Sequence, residues 1–264
     1  MTSSSSTSRF PLPSTIGAIL DTNLDDCQNL NLLLHKYVPR EVIEADEKKG
    51  EKRLGWLKQL TRKTSYDLKL RREWYARWDR IICAHGATPF HMQCGWRMVI
   101  GLGGASPVET DLLTHWVYGI PYIPGSAVKG LTRAYAAAES LAEGGKWDED
   151  IKRIFGTDKQ TGGVIFFDAI PFSDIKFNVD IMNPHYPGYY GGDDTAPSND
   201  QNPIPIYFLA IEETMFSFAL AARTKASSSD DMKQAEGWLK DALRVMGIGA
   251  KTSAGYGHFE SANY

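Results

Sequence analysis

At Trp96 the hydrophobic rhythm of the chain changes, and this change limits what it can fold into. Before it, apolar residues recur at helical spacing. Leu30, Leu33 and Leu34 do so within 23–37, which Pro39 ends; Leu54–Leu60 do so in a charged stretch interrupted near Gly50. Leu68, Leu70, Trp74, Trp78, Ile81 and Ile82 do so within 66–83. In Trp96–Gly103, Trp96, Met98, Ile100 and Leu102 alternate with Arg97, Val99, Gly101 and Gly103, and period two predicts a strand. Residues 111–124 read as extended. A helix follows from near Ser126, with Val128, Leu131, Tyr135, Ala138 and Leu141 on one face. Strands are predicted at Val164–Ile170, Ile175–Met182, Ile206–Ile211 and Met215–Ala221, then a helix over 231–246 that Gly247 stops, and a last strand at Tyr256–Glu260. Reduced to its long elements, the order is β-α-β-insertion-β-α-β, the split βαβ arrangement of a ferredoxin-like fold. The expectation is an α+β protein. A ferredoxin-like (RRM-type) core occupies 96–264 with an insertion at about 171–205. A mostly helical extension spans 15–95, and 1–14 form a flexible Ser-rich tail.

Seven Trp, eleven Phe and twelve Tyr in 264 residues supply a sizeable core. No run approaches the roughly 20 apolar residues of a membrane-spanning helix. The N-terminus has no charged region followed by an apolar run, so it does not read as a secretory signal. A cytoplasmic location without membrane contact is the resulting expectation. Cys27, Cys83 and Cys94 make an odd count and contain no CxxC pair, which favours reduced thiols. A net charge of −3 does not itself suggest nucleic acid, but residues 48–80 hold twelve Lys and Arg against four Asp and Glu. Such a segment is either the solvated face of a helix pair or a surface turned toward phosphate or a partner.

Three glycine- or proline-punctuated motifs stand out. In GIPYIPGSAVKGLTR (119–133), Pro121 and Pro124 hold the approach extended and Ser126 is placed to cap a helix. Lys129 and Arg133 then share one helix face, with Lys129 in the first turn, where free N–H groups favour an anion such as phosphate. In GIGAKTSAGYG (247–257), four glycines permit close backbone approach, and Lys251, Thr252 and Ser253 add donors. This is not an ATP-binding P-loop: Ala250 rather than glycine precedes Lys251, and the loop runs from helix to strand. GLGGASPVE (101–109) is a glycine-rich strand end.

Together these segments identify a likeness. GLGGASPVET (101–110), YGIPYIPGSAVKGLTRAYA (118–136), DIMNPHYPGYY (180–190) and GIGAKTSAGYGHFE (247–260), with NLNLLLHKYVP (29–39), resemble the RAMP superfamily of CRISPR proteins. Within it they resemble the family of the sixth subunit of the type III-B (Cmr) effector complex. Residues 40–95 carry little of the resemblance. Asp111, where glycine is common, and Ala127-Val128, where Ser-Leu is usual, depart from the pattern. The resemblance implies ferredoxin-like modules and a glycine-rich loop that helps bind RNA. It implies a non-catalytic subunit that caps the 3′-end region of the guide RNA in antiviral defence and packs against the repeating backbone subunit and the first subunit. RNA contacts are expected at Lys129, Arg133, Gly249, Lys251, Thr252, Ser253 and Gly255, and at His185 and Tyr189 in the insertion. No cofactor is implied. The alternatives are a guide-processing RNA endonuclease of the superfamily and the equivalent subunit of a type III-A complex.

His185 is the natural catalytic suspect, since related endonucleases use a histidine as general base, but the sequence places no second acid or base beside it. Cys83, His85, His91 and Cys94 invite a zinc reading. Their spacing is not standard, and if Phe90–Gly103 is one extended strand, His91 and Cys94 point to opposite faces. The acidic runs at 25–26, 148–150, 193–194 and 230–231 sit at turns and helix starts as caps. Neither a catalytic residue nor a metal ligand is expected.

Overall fold

The N-terminal third forms helices because its apolar residues return every three to four positions. The computed structural model, which describes residues 9–44, 49–62, 68–183, 205–224 and 229–262, places them at Ser14–Asn23 (α1), Leu30–His35 (α2), Arg40–Ile43 (α3), Lys49–Arg62 (α4) and Leu68–Ala84 (α5). Asn29 caps α2 by accepting the Leu32 N–H at 3.1 Å, which turns Leu30, Leu33 and Leu34 into the core. Trp56, Leu57 and Leu60 bury the inner face of α4.

The remainder alternates strands and helices: β1 (Phe90–Cys94), β2 (Arg97–Met98), α6 (Gly125–Ala142), α7 (Asp148–Phe155), β3 (Gly156–Thr157), β4 (Gln160–Thr161), β5 (Val164–Phe166), β6 (Ile170–Pro171), β7 (Lys176–Met182), β8 (Ile206–Glu212), β9 (Met215–Phe218), β10 (Leu220–Ala222), α8 (Ser229–Val245) and β11 (Phe259–Ser261). A four-stranded antiparallel sheet has the order β11-β1-β9-β6, with Cys94 opposite Phe259, Met92 opposite Phe216 and Ile170 opposite Ser217. A second sheet has the order β2-β8-β7, and β7 pairs with β8 from Lys176–Glu212 to Met182–Ile206. The chain passes between the sheets at Gly95–Trp96 and at Glu213, whose φ of 42° makes the bend and whose N–H donates to the Trp96 carbonyl.

Alternation along β1 and β9 sorts their residues to two faces. Met92, Cys94, Phe216 and Phe218 join the core beneath α6 and α8, which contribute Val128 and Ala136, and Ala235, Trp238 and Leu239. His91 and Ser217 point the other way. There Trp78 and Ile82 of α5 pack on Ile170, Ala219 and Ala221 in a second cluster. An RNA recognition motif stacks bases on an open sheet face; here α5 covers that face.

Three details stand out among those that differ from what the sequence suggests. First, the alternation of Trp96–Gly103 predicts one strand, but strand pairing ends at Met98. Beyond it the Val99 carbonyl accepts the Ala250 N–H and the Ile100 carbonyl accepts the Leu113 N–H, so loops rather than a strand occupy this edge. The first sheet strand is β1, whose His91 and Gln93 obscured its apolar side. Second, 111–124 contributes only the isolated bridges Thr114–Pro121 and Ile123–Ala169. Third, Ser126 is not the N-cap of α6. Pro124 holds that position without a side-chain bond, and Ser126 lies inside the helix.

Candidate nucleic-acid interface

The start of α6 is assembled from distant parts of the chain. Gly125 packs so closely on the Phe166 carbonyl that a Cβ would overlap it. The Gly125 N–H donates to Asp168 Oδ1 at 2.6 Å. A carboxylate already stands where an anion would meet the helix dipole. Because the helix begins at Gly125, Lys129 is its fifth residue, in the second turn rather than the first. The phosphate argument therefore moves from the helix end to the side chains. Burial holds the Lys129 ammonium below its ordinary pKa, and the neighbouring Arg223 and Arg133 lower it further. Arg223, just beyond β10, is fixed by its N–H to the Gly163 carbonyl (2.8 Å) and its Nε–H to the Gly162 carbonyl (2.9 Å). Among the described residues, none of these three cations has a carboxylate partner. Arg133 also lines an open groove of about 630 Å³ between α6, α7 and β3, with Ala137, Leu141 and Lys152.

The glycine-rich loop fixes its second group of candidates by packing backbone on backbone. Gly249 (φ 101°) lies against Val99 so that a Cβ would overlap the carbonyl oxygen, and Gly257 (φ 72°) lies closer still to the Ile248 carbonyl. The Ala250 N–H donates to Val99 (2.8 Å), Gly257 N–H to Arg97 (2.7 Å) and Ile248 N–H to Gly257 (2.8 Å). Gly255 (φ 89°) faces open space, so only its backbone angle calls for glycine. Lys251 adopts the left-handed conformation, and its ammonium stands 5.7 Å from the Phe208 ring and 6.0 Å from the Tyr256 ring. Thr252 and Ser253 form a short turn with Ala254, and Ser253 is exposed.

Beneath this loop lies a charged network. Tyr256 donates its hydroxyl to Asp180, Arg97 donates to Asp180 at 2.6 Å and to Glu212 at 3.2 Å, and Asn178 donates to Glu212 at 3.2 Å. Burial alone would raise the Asp180 carboxyl, but hydrogen bonds from Tyr256, the Ile181 N–H and Arg97 hold it below the ordinary carboxylate value. Burial, followed by the hydrogen bond to Asp180 and then its charge, pushes the Tyr256 hydroxyl up to about 12. The Arg97 guanidinium also lies 5.1 Å from the Trp96 ring. The network joins DIMNP to the glycine loop, two segments that the sequence presented only as separate motifs.

His185 and Tyr189 lie outside the described residues. The zinc candidates disperse: Cys83 is exposed on α5, while Cys94 is fully buried and burial pushes its thiol up to about 12. His91, on the opposite face, bonds Ser217 at 2.9 Å and stacks on Phe172 at 4.0 Å. Among the described residues, no three His, Cys, Asp or Glu are grouped to hold a metal. Sequence reasoning missed Asp168 and Arg223. Their relation to α6 is purely tertiary, and no local signal marks either.

The family model of the RAMP superfamily matches residues 87–260. The chain is 35% identical over 221 residues to the CRISPR system Cmr subunit Cmr6 of Pyrococcus furiosus, covering 61% of this chain and 64% of that protein. It is 29% identical over 147 residues to the CRISPR system CMR subunit Cmr6 of Saccharolobus solfataricus, covering 53% of this chain and 45% of that protein. The chain thus matches less than two thirds of the length of either relative. Its fold matches a chain of the type III-B Cmr-beta complex bound to cognate target RNA with a TM-score of 0.60 at 20% identity, over 94% of this chain and 89% of that one. No helix among the described residues is long and apolar enough to cross a membrane.

Proposed function

The chain belongs to the RAMP superfamily, and from that premise we propose that it is a non-catalytic, RNA-binding subunit of a type III-B CRISPR effector complex. In this reading it caps the 3′-end region of the guide RNA and packs against the backbone subunit and the first subunit. The observation that carries the RNA-binding reading is the cluster Lys129, Arg133 and Arg223, three neighbouring cations without a carboxylate partner among the described residues. Bringing like charges together is unfavourable unless an anion neutralises them, and RNA phosphate has the matching charge and acceptors. The order β11-β1-β9-β6, with α6 and α8 packed on one face, supports a ferredoxin-like core. Because α5 covers the other face, the reading relies on the edge loop and the α6 side chains rather than on an open sheet. No catalytic step is assigned: Lys129, Arg133 and Lys251 hold phosphate without transferring a proton.

The test is RNA affinity as a function of salt. Replacing Lys129, Arg133 and Lys251 together with Ala should weaken binding, flatten its salt dependence by about one unit per lost phosphate contact and leave sequence preference unchanged. Unaltered binding in this triple variant would reject the reading.

A further inference from the structure

A groove of about 430 Å³ opens between α5 and the loop His115–Tyr118. Its floor is a set of rings: Trp74 stacks on Tyr118 at 5.1 Å and 20°, and His115 lies 4.5 Å from Tyr118. Its rim carries Trp116, 75% exposed, with Val117 and Ile81 also exposed. The Trp116 ring packs on no other ring among the described residues. The backbone beneath it is clamped. Asn29 Nδ2 donates to the Trp116 and Val117 carbonyls at 3.1 and 3.0 Å, and the Gly119 N–H donates to the His115 carbonyl at 2.6 Å. A fixed loop that holds a large apolar ring in water is a binding feature rather than a packing one.

We propose that this groove is a stacking site for a nucleobase of single-stranded RNA, with Trp116 as the platform and Arg77 as the neighbouring phosphate contact. The inference rests on the RNA-binding reading above. Charge favours RNA. Arg77 is exposed without an ion-pair partner among the described residues, and α5 also carries Lys69, Arg71, Arg72 and Arg80 against only Glu73 and Asp79. Position favours it too. Asp168 lines the groove, its carbonyl accepts the Trp78 Nε1–H at 2.8 Å, and its carboxylate holds the first N–H of α6. The groove and the helix bearing Lys129 thus meet at Asp168. Flat rings next to a lone guanidinium are how sequence-tolerant single-strand sites hold bases.

The test is equilibrium titration of the full chain with two fluorescein-labelled probes, a single-stranded RNA and an abasic oligomer of equal length and charge. Trp116→Ala should weaken RNA binding by about five- to 150-fold, leave its salt dependence unchanged and not affect the abasic oligomer. Trp116→Phe should recover most of the loss. Because Trp116 is exposed, the Ala variant should keep the thermal midpoint of the wild type, so a loss of affinity does not report unfolding. Wild-type RNA affinity in Trp116→Ala overturns the stacking site. If that variant also fails to assemble with its partner subunits, the groove is a protein-docking surface instead. Wild-type protein that binds neither probe sinks the RNA-binding reading along with the inference. Normal binding by Trp116→Ala with weakened binding by the Lys129, Arg133 and Lys251 variant sinks the inference alone.

Discussion

Gly249 and Gly255 look alike in the sequence, but the structure gives them different tasks. Both have positive φ, yet a Cβ at Gly249 would overlap the Val99 carbonyl, whereas one at Gly255 would meet nothing. Gly255→Val should therefore show backbone strain alone, about 1–3 kcal/mol by urea unfolding. Gly249→Val should lose more, because the loop must also lift from Val99, and it should impair assembly of the complex. Equal losses at both positions would contradict this difference. Asp180 and Tyr256 predict a pH profile. The Asp180 carboxyl lies below its ordinary value, so the stability it contributes is present above the usual carboxylate range and is lost as pH falls through and below it. The Tyr256 hydroxyl is raised from 10.0 to about 12, so its contribution is present below pH 10 and is lost as pH rises between these values. Tyr256→Phe should destabilise by about 1.5–3 kcal/mol near neutral pH, the scale of a hydrogen bond to a charged group. It should also flatten the alkaline limb of stability against pH; an unchanged alkaline limb would count against the network.

At the scale of elements, α6 shows how tertiary structure revises a local reading. PGSAVKG announces a capped helix carrying Lys129 and Arg133, but it does not announce that Asp168 takes the anion position or that Arg223 joins the cations. Two variants separate these roles. Arg223→Ala should weaken RNA binding and lower the salt slope by about one unit while leaving stability nearly unchanged. Asp168→Ala should instead destabilise the protein by about 0.5–2 kcal/mol, since it removes the carboxylate that satisfies the Gly125 N–H. An Arg223→Ala variant with the wild-type salt slope would remove Arg223 from the site. Helix α5 gives a second lesson. Its spacing of Trp74, Trp78 and Ile82 shows an amphipathic helix; only the fold shows that its apolar face covers the sheet surface that an RNA recognition motif leaves open.

For the whole molecule, the central expectation is that the chain binds and positions RNA while the chemistry occurs elsewhere in its assembly. His185→Ala should leave target-RNA cleavage by the assembled complex intact. A true general acid or base contributes about 10²–10⁴-fold, so a loss of that size at full assembly and normal RNA occupancy would replace the binding reading with an endonuclease. Weaker assembly with normal cleavage per particle would fit a packing or stacking role for His185.

The sequence by itself determined what depends on neighbours along the chain. The helices α4, α5, α6 and α8 follow from apolar spacing, and the change to strands follows from period two. The positive φ at Gly247, Gly249 and Gly255 follows from glycines placed at a helix end and a tight loop, and the likeness to the RAMP superfamily follows from the PGSAVKG and GIGAKTSAGYG runs. Tertiary structure decided what depends on residues meeting across the chain. It fixed the end of strand pairing at Met98, because whether a strand continues depends on what lies at its edge, and here the glycine loop does. It also brought together Lys129 with Arg223, Asp168 with Gly125 and Tyr256 with Asp180. Each pair joins residues more than 40 positions apart, so no periodicity within a single helix or strand could relate them.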